Sequence, residues 1–314
     1  MTADRPDVTE ALAEVADIAR PAAADGTVAS YIPALAHADP SRFGIALVDL
    51  DGTEHAIGDV DVPFPIQSIS KVFSLVLAMQ KAEAHDGVAE ELWSRVGREP
   101  SGDPYNSLVQ LERERGIPRN PMINAGALVI DDVLFGHCDD APRATLELLE
   151  LLAGDRLSVD EDVRRSEVGA LHRNRALANL LADFGNLHHA VDDVLDNYVH
   201  ECAIAMTARQ LARAIRFLAN DGIDPATGTR ILSRELARRV AAIMLTCGTY
   251  DAAGEFAFNV GLPCKSGVAG GIVGIVPRHM GLCVWSPPLD RTGNSLAGRV
   301  ALHELAERLD LSIV

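Results

Sequence analysis

Apolar residues recur at helical spacing in the opening segment, where residues 7–20 (DVTEALAEVADIAR) predict an amphipathic helix. The period then changes. Phe43-Gly-Ile-Ala-Leu-Val-Asp-Leu50 is a short apolar run of β character, Asp51-Gly52 is a turn dipeptide, and 53–58 returns as a second strand, so the stretch predicts a hairpin. Pro63 and Pro65 interrupt the chain before Ser68, after which apolar spacing and length predict a helix over 69–84. Further helices are predicted at 125–135, at 142–153 (starting on Pro142 and stopping at Gly154), at 208–219 after Thr207, and at 234–246 behind the cap Ser233. No comparable strand signal occurs between about 70 and 240. Strand character resumes at Gly271–Val276 and His279–Trp285, joined by Pro277-Arg278, and a helix over roughly 295–309 closes the chain.

Strands therefore come from the two ends and helices from the middle. That order predicts an α+β fold with a mainly antiparallel sheet assembled from both chain ends, flanked by helices, with a helical subdomain. The expected organisation is one domain over 1–314, its sheet part about 1–67 and 247–314 and its helical part about 68–246. No internal repeat, linker or low-complexity tract interrupts it.

Composition narrows the function classes. The chain has 314 residues, 48% hydrophobic content and a net charge of −17, enough for a large core and unsuited to a polyanion. No nucleic-acid partner is expected. No apolar run approaches a membrane span; the longest, Val72–Met79, contains Ser74. The N-terminal segment lacks the apolar stretch of a signal peptide, and the five cysteines (Cys138, Cys202, Cys247, Cys264, Cys283) form no C-x-x-C. A cytoplasmic protein with reduced thiols is the expectation.

Only Lys71, Lys81 and Lys265 are lysine, against 25 arginines, so most sites that merely need a cation have gone to arginine. What lysine adds is deprotonation, since a buried amine can act as a base and a guanidinium cannot. Lys71 closes Ser68-Ile-Ser-Lys71, an S-x-x-K, and Lys265 opens Lys265-Ser-Gly267, close to a K-T-G. The two together arise on composition alone with a chance on the order of 0.3%. They are the frame of serine acyl-transfer enzymes related to β-lactamases and penicillin-binding proteins. In that frame Ser68 attacks once Lys71, one helical turn away, takes its proton. Desolvation, or Lys265 as a second cation, would hold Lys71 neutral. The stretch Lys265–Ile272 is expected to run as a strand beside the nucleophile.

The chain resembles the serine-dependent glutaminases, a β-lactamase-like family that hydrolyses L-glutamine to L-glutamate and ammonia. The resemblance rests on Tyr31-Ile-Pro-Ala-Leu35, Phe64-Pro-Ile-Gln-Ser-Ile-Ser-Lys71, Glu99-Pro-Ser-Gly102, Asn120-Pro-Met-Ile-Asn-Ala-Gly-Ala127, Ser166-Glu167 with Asn174, Asn197-Tyr198, Gly248-Thr-Tyr250 and Lys265-Ser-Gly-Val268. It implies a β-lactamase/transpeptidase-like fold with Ser68 as nucleophile and Lys71 as general base. The Ser68 and Val268 N–H groups would form the oxyanion hole. Asn124, Glu167, Asn174, Tyr198 and Tyr250 would line the glutamine site, with Tyr31 and Gln67 beside them, and Tyr250 or Tyr198 would relay a proton to ammonia. It also implies a homodimer or homotetramer; no cofactor is expected, and no metal, because no Cys/His/carboxylate cluster with ligand spacing occurs. Ala269 stands where the family usually has glycine, which matters only if that residue needs positive φ.

Each residue also has an ordinary reading. Ser68 can be an N-cap and Lys71 a surface cation; Asn124 opens a helix, where an N-cap is the usual role. Glu167 can be a solvated helix charge, and a buried tyrosine needs only some hydrogen-bond partner. His188-His189 near Asp192-Asp193 suggests a metal only weakly, because adjacent histidines on a helix diverge. Three rival functions remain: another hydrolase of the same fold (β-lactamase, transpeptidase or esterase), an N-terminal-nucleophile amidase using Thr2, and a catalytically silent amino-acid-binding protein. The chain has no S-D-N triplet between its lysine motifs, which speaks against the first. The charged Ala3-Asp4-Arg5 behind Thr2 speaks against the second.

Overall fold

The computed structural model describes residues 8–314. Thr2 and the first residue of the predicted opening helix, Asp7, lie outside the described residues. The helix itself spans Val8–Ala19.

Five strands make the main sheet: β1 Gly44–Asp49, β2 Glu54–Gly58, β6 Cys264–Ser266, β7 Gly271–Val276 and β8 Met280–Trp285. Their order is β2-β1-β8-β7-β6, antiparallel throughout. The fold is α+β, and the first and last parts of the chain meet at the β1–β8 pairing, with Ile45 opposite Val284. Asp51-Gly52 makes the expected hairpin turn, with Gly52 at φ +93°.

The central strands are apolar almost without break because both faces are covered. Ile45, Leu47, Ile272, Val276, Leu282 and Val284 pack with Leu12, Val15, Ala301, Leu302 and Leu305, from the first helix and the last, Leu296–Leu309. Alternate residues Ala46, Val48, Val273, Ile275, Cys283 and Trp285 pack on the opposite side with the long helices of the middle. A period of two with two buried faces reads as continuous hydrophobicity.

Three features differ from the sequence expectations. The region from 70 to 240 does contain strands. β4 (Ser158–Val159) and β5 (Ile204–Met206) join β3 (Phe64–Pro65) in a small sheet of order β3-β5-β4. Two or three residues cannot display an alternation, so these strands leave no periodic signal. The predicted helix 208–219 is two pieces, Ala208–Ala214 and Arg216–Ala219. Lys265–Ile272 is not one strand either. β6 ends at Ser266, and 267–270 turn back, with Gly267 N–H on the Gly271 carbonyl (2.8 Å) and Gly270 at φ +93°.

That turn also answers the question raised by Ala269. Ala269 is not among the positive-φ residues, and its neighbour Gly270 carries that conformation instead. The Ala269 carbonyl accepts from the Trp285 indole N–H at 3.0 Å, and Trp285 stacks on Phe64 at 4.9 Å between centroids. The 267–270 turn is thereby tied to the segment that leads into Ser68. The small sheet ties the same segment elsewhere: Phe64 pairs with Met206, and Ile66 N–H donates to the Ile204 carbonyl. β4 immediately precedes the helix Glu161–Gly169, and β5 immediately follows the helix Val191–Cys202. Three pieces of chain distant in sequence are pinned together around residue 67.

Candidate active site

Ser68 lies in the single 3₁₀ turn Gln67–Ile69, which runs into the helix Ser70–Ala84. Lys71 sits in the first turn of that helix, on the same side as Ser68. Neither is a surface residue, with Ser68 6% exposed and Lys71 2%. The ordinary readings of an N-cap serine and a surface lysine therefore fail; no side-chain cap bond starts this helix.

Lys71 Nζ donates to Asn124 Oδ1 at 2.6 Å, and Asn124 Nδ2 donates in turn to Asn174 Oδ1 at 2.8 Å. Asn124 is the first residue of the helix Asn124–His137 and does not cap it; Ile123 holds the cap position. Burial pushes the Lys71 ammonium down to about 8, against the opposing pull of Cys202, Asp131 and Glu167. Lys265 is fully buried, donates to the Ser266 carbonyl at 2.6 Å and lies 4.3 Å from the Tyr250 ring centroid. Its own pKa is driven well down, by burial first and then by Lys71. Of the two means expected to lower Lys71, desolvation is the one that acts first; Lys265 is not among the groups that shift it.

Glu167, on the helix Glu161–Gly169, is buried and accepts from Gln67 Nε2 at 3.1 Å; the same amide reaches the Cys202 carbonyl at 3.3 Å. Burial raises the Glu167 carboxyl to about 7, while Gln67 and Lys71 pull it back. A solvated helix charge it is not. Gln67 has φ +49° and Tyr250 φ +60°, two left-handed non-glycine residues within one site. Such conformations persist where the surroundings over-determine them.

The Tyr250 hydroxyl donates to the Ser266 carbonyl at 2.9 Å; burial raises its pKa, and the nearby Ser68 side chain pulls it back. Tyr198 is placed differently. Its ring lies 5.5 Å from Lys71 Nζ, and burial first, then Cys202, raises its pKa. Tyr31 is 54% exposed overall, yet its hydroxyl pairs with Tyr105 and faces Tyr250 and Glu167, and burial of that end raises its pKa. The Tyr105 ring lies 4.8 Å from that of Tyr250, tilted by 40°. All four tyrosines of the chain therefore converge here.

Val268 follows the Gly267 turn and is buried. The Gly267 Cα faces the Ile66 carbonyl so closely that a Cβ there would sit 2.6 Å from it. Only glycine lets the turn approach the Ser68 segment. A cavity of about 290 Å³ adjoins this region, lined in part by Phe64, Val163, Val268, Ala269 and Trp285 but by neither Ser68 nor Lys71.

The ten residues that the resemblance implies for the site are thus brought to one place: Tyr31, Gln67, Ser68, Lys71, Asn124, Glu167, Asn174, Tyr198, Tyr250 and Val268. Sequence reasoning missed Tyr105 and Cys202. His188 and His189 are elsewhere, with both backbone N–H groups on Asp132. Among the described residues no group of three or more His, Cys, Asp or Glu is placed to hold a metal ion, and no helix is long and apolar enough to cross a membrane.

The family model described as Glutaminase matches residues 26–314. A glutaminase of Mesorhizobium japonicum is 53% identical over 311 residues, covering 98% of this chain and 97% of the relative. One of Rhodopseudomonas palustris is 53% identical over 305 residues, covering 96% of each. Among solved structures, a probable glutaminase from Bacillus subtilis complexed with 6-diazo-5-oxo-L-norleucine superposes with a TM-score of 0.88 at 35% identity, covering 100% of this chain and 99% of that one. Mglu in its tris and glutamate form superposes with a TM-score of 0.89 at 40% identity, covering 98% of this chain and 67% of that one.

Proposed function

The chain belongs to the glutaminase family, and we propose that it hydrolyses L-glutamine to L-glutamate and ammonia through an acyl-enzyme on Ser68. The observation that carries the mechanism is the buried Lys71 amine, lowered to about 8 beside the Ser68 turn. A neutral amine takes the Ser68 proton as Oγ attacks the side-chain amide carbon. The Ser68 and Val268 N–H groups receive the oxyanion, Ser68 at the start of a helix where N–H groups lack intrahelical acceptors. The proton on Lys71 passes to the departing ammonia, and water then attacks the ester with Lys71 again as base.

Tyr250 is the better placed relay. Ser68 is the group that opposes the effect of burial on its hydroxyl, whereas the groups that act on the Tyr198 hydroxyl are Cys202, Glu167 and Tyr31. Tyr250→Phe should lower kcat about 10²-fold or more, and Tyr198→Phe clearly less. Steady-state kinetics of the two variants decide this, and a larger loss at Tyr198 would reverse the assignment.

Glu167 holds the α-ammonium, with the Asn124 and Asn174 amide N–H groups donating to the α-carboxylate. Two anchors, Glu167 at one end and the oxyanion donors at the other, set a length. Asparagine is one methylene shorter and leaves a buried polar group unpaired, costing about 1–3 kcal/mol, or roughly 5- to 150-fold in kcat/KM. Glu167→Gln should weaken glutamine turnover while sparing the fold. Ammonia release from L-glutamine, D-glutamine and L-asparagine tests the whole reading. Equal rates for asparagine and glutamine would contradict it, and nitrocefin hydrolysis would favour a β-lactamase activity instead.

A further inference from the structure

Two of the motifs that mark the site meet through a contact that the chemistry above does not use. Ser166 and Glu167 are consecutive on the helix Glu161–Gly169, with Val163 one turn before them, so the three share one face. The Tyr31–Leu35 segment lies against that face. Ile32 and Leu35 pack in one apolar cluster with Val163, Tyr250 and Val268, and Ala34 and Tyr105 pack against it. Ala34 N–H donates to Ser166 Oγ at 3.0 Å. A serine within a helix commonly bonds back to a carbonyl of its own helix. The Ser166 hydroxyl instead accepts an N–H from 132 residues away.

Little else holds the segment. Thr27 and Leu289 exchange backbone hydrogen bonds at 3.0 and 2.9 Å, and Leu35 N–H closes a local turn on the Ile32 carbonyl. Between these points, among the described residues, the Ala34 bond is the one backbone hydrogen bond that joins 28–34 to another element. Tyr31 is 54% exposed, so its placement depends on the backbone that carries it more than on a surrounding core.

We propose that Ser166 is a positioning residue that fixes Tyr31 over the glutamine site, and that this tether sets how tightly substrate and product are held. The inference rests on the reading of the pocket as a glutamine site, and Ser166 reaches the substrate only through Tyr31. One helical turn then carries both the α-ammonium anchor, Glu167, and the acceptor that registers Tyr31 against it, so the spacing between the two is fixed. The tether is in place before and during the reaction, so its loss should raise KM and leave kcat nearly unchanged.

Ser166→Ala is expected to raise KM for L-glutamine about 3- to 10-fold, the effect of one net hydrogen bond, with kcat within about twofold of the parent. The calorimetric Kd for L-glutamate should weaken by the same factor. Ser166→Thr keeps the hydroxyl and should restore both values to within about twofold of the parent. Hydrogen exchange read by mass spectrometry should quicken in peptides spanning 28–38 of the alanine variant and not in those carrying Ser68. Action through Tyr31 is read from the pair, because Ser166→Ala should add nothing to the KM of Tyr31→Ala. Should the alanine variant fail to fold, Ser166→Cys, whose sulfur is a weaker acceptor, carries the same test with a smaller rise in KM. A merely structural serine would lower the melting temperature and leave KM in place. That result, additive KM effects in the double variant, or a threonine variant as weak as alanine would overturn the proposal. A parent that neither releases ammonia from glutamine nor binds glutamate would sink the glutaminase reading itself. A parent that does both, with KM and Kd unmoved by Ser166→Ala, would sink this inference alone.

Discussion

Replacing Ser68 with alanine is expected to lower kcat/KM for L-glutamine by on the order of 10⁴- to 10⁶-fold. The reason is specific to the geometry. Ser68 is the hydroxyl at the mouth of the helix that carries Lys71, and it lies near Tyr250, whose own hydroxyl is committed to the Ser266 carbonyl. Removing one oxygen leaves the lysine, the tyrosine and the glutamine anchors in place but nothing to form the acyl bond. The fold should tolerate the change, because only one hydroxyl is removed and Ser68 caps no helix. Ammonia release and a thermal melt on the same preparation check both halves. Activity within tenfold of the parent would move the nucleophile elsewhere.

Lys71→Arg should be nearly as damaging as Lys71→Ala, with losses on the order of 10³-fold or more, although the positive charge is kept. A guanidinium cannot become a neutral base, the role proposed for Lys71. The pH dependence of the parent enzyme carries the same information. A group lowered to about 8 must be deprotonated to act, so kcat/KM should rise tenfold per pH unit below about 8 and level off above it. Glu167, raised to about 7, adds a second loss at lower pH, since its protonated form cannot pair with an ammonium. Substantial turnover by the arginine variant, or a profile flat from pH 6 to 9, would remove Lys71 from the role.

Much of this site is legible in the residues because scarcity is informative. Three lysines against 25 arginines single out Lys71 and Lys265 before any fold is known. The same argument extends to tyrosine, of which the chain has four. All four meet at the site, so Tyr105 was within reach of the sequence and was passed over. Cys202 was not within reach, for a buried thiol among five scattered cysteines has no distinguishing pattern. The long apolar strands and the hairpin at Asp51-Gly52 stand out by period and turn chemistry. β3, β4 and β5 do not, because two or three residues pair through backbone alone. Those short strands matter most for geometry, since they join the Ser68 segment to the helices bearing Glu167 and Tyr198. The complete burial of Lys265 was likewise beyond the sequence, because burial is a tertiary fact.

The most direct test of the central claim is to identify the atom that carries the acyl group. An electrophilic glutamine analogue such as 6-diazo-5-oxo-L-norleucine, incubated with the intact protein and followed by peptide mass mapping, should add one equivalent to the peptide containing Ser68 and none to the Ser68→Ala variant. Labelling at Cys202, Cys264 or Thr2 with Ser68 unmodified would contradict the account.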